Sequence, residues 1–207
     1  MSKITGQKSR RNGLQSRNIP PSLIYEIWNG KPVYYQDYQD VLVGTKTVQE
    51  VRSCVDIEGV LLALINGHPG ITINRKENVL AANKVGISIS KNDIVCCDIV
   101  VLEKKKLGKL QGNYVDVAPK VGIDVDTKAD VSDFPNRLDD YLIQKSQKLL
   151  DFGVEKVRWV ITSMQKVYII EQGNPTWHIV NWSENIQVVH DCHLNIKQLL
   201  DEEEITY

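Results

Sequence analysis

The chain of 207 residues is 42% hydrophobic and 25% charged, enough for one well-formed core and too little to argue for two. Its 25 basic and 26 acidic residues cancel to a net charge of −1, so bulk charge does not mark a nucleic-acid binder. No apolar run reaches roughly the 18 residues of a membrane span, and the amino terminus lacks the apolar core of a signal peptide, which predicts a soluble, cytoplasmic protein.

Residues 1–22 read as a basic, flexible arm, with Lys3, Lys8, Arg10, Arg11 and Arg17 and no acid, ending in Pro20-Pro21. Such an arm either touches a phosphate backbone or only solubilises. Residues 23–207 read as a single domain. Leu23 to Trp28, Asn29-Gly30 and Lys31 to Tyr35 make strand, turn and strand, with Asn-Gly supplying the positive φ angles of a tight hairpin. Glu26 lies inside that apolar context, where a carboxylate needs a partner.

The apolar stripe Val48, Val51, Val55, Leu62 and Ile65 predicts a helix from Thr45 or Thr47 to about Ile65, ended by Gly67 and Pro69-Gly70. Short strands are predicted at 71–74, 79–82 and 85–90, separated by polar turns. Residues 93–102 are almost continuously apolar, as in a central strand buried on both faces, and Asp98 interrupts them. Lys104 to Asn113 reads as a solvated loop.

Gly122 to Lys128 reads as the next strand. Alternation would place Asp124, Asp126 and Lys128 on one face and Ile123, Val125 and Thr127 on the other. Two carboxylates roughly 5 Å apart repel by about 3 kcal/mol at an effective dielectric near 20, so the row implies a cation, a bound proton or full exposure as a solvated edge. Leu138 to Phe152 reads as an amphipathic helix stopped by Gly153, and Lys145 falls on its apolar stripe between Leu142 and Leu149. Strands follow at 156–162, 166–171, 176–182 and 186–189, then a helix at 195–203 with its acidic end against its own dipole.

Cys54, Cys96, Cys97 and Cys192 are irregularly spaced and partly vicinal, which predicts reduced, buried thiols rather than a disulfide framework. His190-Asp191-Cys192-His193 lacks a second ligand pair at zinc spacing and reads as a strand-to-helix connection.

Asp98 on one central strand, Asp124 and Asp126 on the next, and an inward Lys145 have a clear chemical use. Hard oxygen ligands from two strands would hold Mg²⁺ or Mn²⁺, which lowers the pKa of bound water and polarises a phosphodiester, while a lysine stabilises the developing charge. That is equipment for metal-dependent phosphodiester hydrolysis.

From about Leu23 to Val189 the sequence also resembles the Uma-two endonucleases, a branch of the PD-(D/E)XK restriction-endonuclease-like superfamily. Tyr25-Glu26-Ile27-Trp28-Asn29-Gly30-Lys31 is similar to that family's opening hairpin, Cys97-Asp98-Ile99-Val100-Val101 to its P-D-V-S-V-V strand, and Pro119 to Thr127 to its P-D-L-V-V-E-V-L-S strand. Lys145 to Val154 is similar to its K-L-x-x-Y-x-x-x-G-V helix. The resemblance implies an α/β (α+β) fold with a restriction-endonuclease-like mixed sheet flanked by helices. It implies Asp98 and Asp124 as metal ligands, Lys145 as the catalytic lysine, Glu26 as an auxiliary acid, DNA as substrate and a homodimer addressing two strands.

Cys97 stands for the family's proline, Asp124 for its glutamate, Asp126 for an apolar residue and Thr162 for an aspartate. Asp126-Thr127-Lys128 also fits the superfamily's D-x-K literally, which would make Asp126 a ligand and Lys128 the catalytic lysine. The register with Asp124 and Lys145 is preferred because it keeps the Gly-Val spacing. Two functions stay open: a Mg²⁺- or Mn²⁺-dependent DNA endonuclease, and a catalytically weakened relative kept as a nucleic-acid- or partner-binding module.

Overall fold

The structure is a computed structural model and describes residues 19–190 and 192–207. The basic side chains predicted to form the arm, Lys3 to Arg17, and Asp191 of the His-Asp-Cys-His run lie outside the described residues. Ile19 packs against the core, and a short 3-10 turn, Pro21–Leu23, leads into the first strand.

Strands β1 (Ile24–Trp28) and β2 (Lys31–Tyr34) form the expected hairpin, with Asn29 at φ 51° and Gly30 at φ 75° in its turn. Three helices follow where the sequence reading expected one: α1 (Tyr38–Val43), α2 (Val48–Arg52) and α3 (Asp56–Thr72). Thr47 caps α2 in a reciprocal capping box with Glu50. The chain then breaks at Ser53, and Glu58 closes back onto the Val55 amide at 3.1 Å to restart the helix. Gly67 and Pro69-Gly70 do not end it, because Pro69 is accommodated within α3, whose last turn Thr72 steadies through the His68 carbonyl. The strand expected at 71–74 is therefore absent.

Strands β3 (Asn78–Ser90) and β4 (Asp93–Glu103) form a long antiparallel pair, so the two short strands expected at 79–82 and 85–90 are one strand with a bulge at Asn83-Lys84. Lys104–Leu107 closes into a short helix, α4, where a loop was expected. After β5 (Val121–Val125) come α5 (Leu138–Phe152), β6 (Lys156–Ile161), β7 (Lys166–Glu171) and β8 (His178–Asn181). A separate hairpin of β9 (Ile186–Val189) and β10 (Cys192–Leu194) precedes α6 (Ile196–Glu202), which Asn195 caps through the Gln198 amide at 2.9 Å. His190 thus leads into a strand, not directly into a helix. Cys97 and Cys192 are buried, whereas Cys54 is exposed, contrary to the expectation that all four thiols are buried; all four cysteines are free.

The main sheet runs β2-β1-β4-β5-β6-β7-β8, with β3 on the other edge of β4; among the described strands only β5 and β6 pair in parallel. One face carries Tyr141, Leu142 and Leu149 of α5, and the other Leu61 and Ile65 of α3 with Leu199 and Leu200 of α6. This is a mixed α/β fold with a mostly antiparallel central sheet flanked by helices. Among the described residues no helix is long and apolar enough to cross a membrane.

Candidate active site

Because β3 occupies one edge of β4 throughout, β1 and β5 share the other. β1 meets β4 at Ile27 and Ile94, and β5 pairs with it from Ile99 onward. Between Ile94 and Ile99 the two neighbours diverge and leave a fork beside β4. The amides of Cys96 and Asp98 point into it, where a sheet would normally supply carbonyl acceptors. Here carboxylates take that place. Glu26 Oε1 accepts the Cys96 amide at 2.9 Å, and Asp124 Oδ1 accepts the Asp98 amide at 3.2 Å. Asp98 Oδ2 in turn accepts the Val125 amide at 2.9 Å, fastening β5 back to β4.

Lys145 of α5 enters the fork from the helix side, inward as its stripe position predicts. Its Nζ lies 3.0 Å from Glu26 Oε1 and 3.2 Å from Asp124 Oδ2, with no exposed surface. Aromatic rings enclose it, those of Trp159 at 4.9 Å and Tyr141 at 5.8 Å from the ammonium to the ring centre. Glu26 Oε2 accepts Trp28 Nε1 at 2.8 Å and the Tyr141 hydroxyl at 3.1 Å, so both oxygens of this carboxylate are fully engaged. Trp28 and Tyr141 stack at 5.1 Å and close the wall.

Burial raises the Asp124 carboxyl, and although Lys145 pulls it back it stands at about 6. Burial alone would lower Lys145, but the Asp124 and Glu26 carboxylates outweigh it and hold the ammonium well above its ordinary value. Asp124 Oδ2 and Lys145 Nζ make no geometrically sound hydrogen bond, so their contact is an ion pair with unused donor and acceptor capacity.

Three side chains at the site escaped the sequence reading. Trp28 stands two residues from Glu26 on one strand, and Tyr141 one helical turn before Lys145; both spacings were visible. Lys84 was not. It sits on the β3 bulge directly opposite Asp98, with Nζ 3.6 Å from Asp98 Oδ1 and 3.1 Å from the Tyr25 hydroxyl. Burial would lower its pKa, but the Tyr25 hydroxyl and the Asp98 carboxylate more than offset it.

The literal D-x-K residues go elsewhere. β5 ends at Val125, and Asp126 turns to φ 53°, so Asp126 and Lys128 do not continue the row begun by Asp124, contrary to the alternation expected from sequence. Asp126 accepts the Thr162 amide at 2.9 Å and the Thr162 hydroxyl. Lys128 pairs with Glu58 of α3 at 3.0 Å, on the side of the sheet away from α5. The structure thus brings together Glu26, Asp98, Asp124 and Lys145, and leaves Asp126 and Lys128 apart from them.

A resident metal has a partial fit. Asp124 Oδ2 is a buried oxygen without a hydrogen bond, and Asp98 Oδ1 is the oxygen of that carboxylate that no backbone amide takes. Among the described residues no three His, Cys, Asp or Glu side chains group closely enough to cage an ion by themselves. Two carboxylates completed by water and substrate oxygens are what Mg²⁺ commonly accepts.

No family model matches the chain, and no curated protein matches it. Among solved structures, it is similar to a protein from Anabaena variabilis ATCC 29413 described as a candidate nuclease belonging to DUF820. The two share a TM-score of 0.59 over 85% of this chain and 89% of that one, at 12% sequence identity. At that identity the likeness is one of fold, and it establishes that this chain has the mixed, helix-flanked sheet of a nuclease-like neighbour.

Proposed function

We propose that the protein is a metal-dependent nuclease that hydrolyses DNA phosphodiester bonds. The observation that carries this reading is the convergence of Asp98, Asp124 and Lys145, from β4, β5 and α5, in one fork of the sheet. The nuclease-like neighbour and the resemblance to the Uma-two endonucleases point the same way. Asp98 and Asp124 would hold Mg²⁺ or Mn²⁺, which when bound supplies an activated water and positive charge at the phosphodiester. Lys145 holds Asp124 in place, and Glu26, fixed by Trp28, Tyr141 and the Cys96 amide, holds Lys145. A homodimer presenting two such forks would address both strands of a duplex.

The test incubates purified protein with single- and double-stranded DNA and RNA, with and without Mn²⁺. Metal-dependent cleavage of DNA that Asp98→Asn abolishes is the expected result; its absence on every substrate sinks the reading. One observation favours a second function: Lys145 and Asp124 are sealed, with relative exposures of 0% and 1%. A fork closed by its own ion pairs suits a weakened nuclease kept as a nucleic-acid-binding module. Salt-sensitive, metal-independent DNA binding without cleavage would decide for that function.

A further inference from the structure

The geometry points to Lys84 as the residue of this site that contacts the scissile phosphate, an inference that rests on the nuclease reading. Two cations serve the fork, and they are placed differently. Lys145 has no exposed surface and is committed to Glu26 and Asp124. Lys84 reaches the fork at its third carboxylate, Asp98, with its side chain 29% exposed and its ammonium donating to the Tyr25 hydroxyl at 3.1 Å. Its ammonium lies 4.4 Å from the centre of the Tyr25 ring and 3.6 Å from Asp98 Oδ1, beyond hydrogen-bond length, so Asp98 holds it loosely. An approaching phosphate oxygen would meet Lys84 before any other positive charge in the fork.

The backbone beneath it is unusual. Asn83 and Lys84 are consecutive residues at φ 79° and 55°, forming a bulge opposite Asp98 alone. A left-handed lysine is strained, and a regular strand would avoid it. Without the bulge, β3 would pair straight through. With it, one extra residue is spent and Lys84 is aimed over the fork between Tyr25 and Asp98.

The experiment compares wild type, Lys84→Gln and Lys84→Arg in two assays, with thermal unfolding as a folding control. The first is Mn²⁺-dependent cleavage of a labelled DNA oligonucleotide. The second is anisotropy binding of that oligonucleotide with Ca²⁺ replacing Mn²⁺, across a salt series. Lys84→Gln is expected to raise KM and Kd about tenfold, change kcat less, and reduce the salt slope by about one; Lys84→Arg recovers much of the loss. A Lys84→Gln protein that binds and cleaves like wild type overturns the inference. So does a loss with unchanged salt slope that Lys84→Arg fails to rescue, because that marks a purely structural partner of Asp98. If wild type cleaves nothing, the nuclease reading fails, yet the binding assay still decides whether Lys84 touches phosphate. A wild type that binds no DNA overturns both.

Discussion

Asp98 and Asp124 tie their strands together reciprocally: Asp124 Oδ1 accepts the Asp98 amide at 3.2 Å, and Asp98 Oδ2 accepts the Val125 amide at 2.9 Å. Each carboxylate therefore has one oxygen in the sheet and one turned into the fork. Removing either side chain strands a buried amide, which costs about 1–3 kcal/mol. Asp98→Ala and Asp124→Ala are expected to lose that much stability in urea unfolding. Asp98→Asn and Asp124→Asn keep an acceptor oxygen, so they should lose less stability while still abolishing Mn²⁺-dependent cleavage.

Lys145 neutralises two carboxylates with no surface of its own exposed. Lys145→Met fits the stripe of α5 but leaves Glu26 and Asp124 facing each other without a cation. Breaking a buried pair from one side costs about 3–5 kcal/mol, so the variant should unfold at markedly lower denaturant. Lys145→Met combined with Glu26→Gln should recover part of the loss, and a double-mutant cycle measures the coupling.

Asp124 makes stability depend on pH in a definite direction. Its carboxyl ordinarily titrates at 3.8 and in the fold stands at about 6, because burial raises it. Between those values the folded state holds a proton that the unfolded state has released. The group's contribution is complete below about pH 4 and is lost as pH rises through about 6. The shift corresponds to about 3 kcal/mol. Urea unfolding of wild type and Asp124→Asn at pH 4.5 and 7.5 should show wild type losing ground to the variant at the higher pH. Metal affinity runs the opposite way, since ligation needs the ionised carboxylate, and should fall below about pH 6.

Lys128 and Asp126 serve as a control pair. Lys128 is spent on Glu58, with side-chain exposures of 19% and 10%, and Asp126 on Thr162. Lys128→Ala should leave metal-dependent cleavage intact, and Asp126→Asn, which tolerates positive φ, should do the same. Cleavage lost in Lys128→Ala but kept in Lys145→Arg would place the essential lysine in the literal D-x-K register.

The residues that set this sequence apart from the pattern it resembles find local partners. Thr162, in place of an aspartate, engages Asp126, which itself replaces an apolar residue; the two unusual residues satisfy each other. Cys97, in place of proline, puts its sulfur against Gly122, where an added Cβ would lie 3.0 Å from it.

Much of the site was legible in the chain because its signals are local. Asp98 interrupts an apolar strand, Asp124 follows two residues after Gly122, Lys145 lies on an apolar helical stripe, and Asn29-Gly30 announces the first hairpin; each is read over a few residues, from alternation, helical spacing or turn chemistry. The helix expected at 45–65 broke at Ser53 because the Glu58 carboxylate, accepting the Val55 amide, starts a new helix there in competition with the apolar period.

What the tertiary structure alone decided depends on register between distant segments. Whether Asp126 continues the row of Asp124 is settled by Thr162, 36 residues away, and whether Lys128 faces the fork is settled by Glu58. Lys84 lies over the fork because β3 carries one residue more than β4 opposite Asp98. The sequence by itself marked Glu26, Asp98 and Lys145 for burial, through the apolar context of each, but not Ser146 or Arg158, which are buried as well. It could not determine which of them meet, because a one-residue change of register or a single left-handed residue turns a side chain to the other face of the sheet.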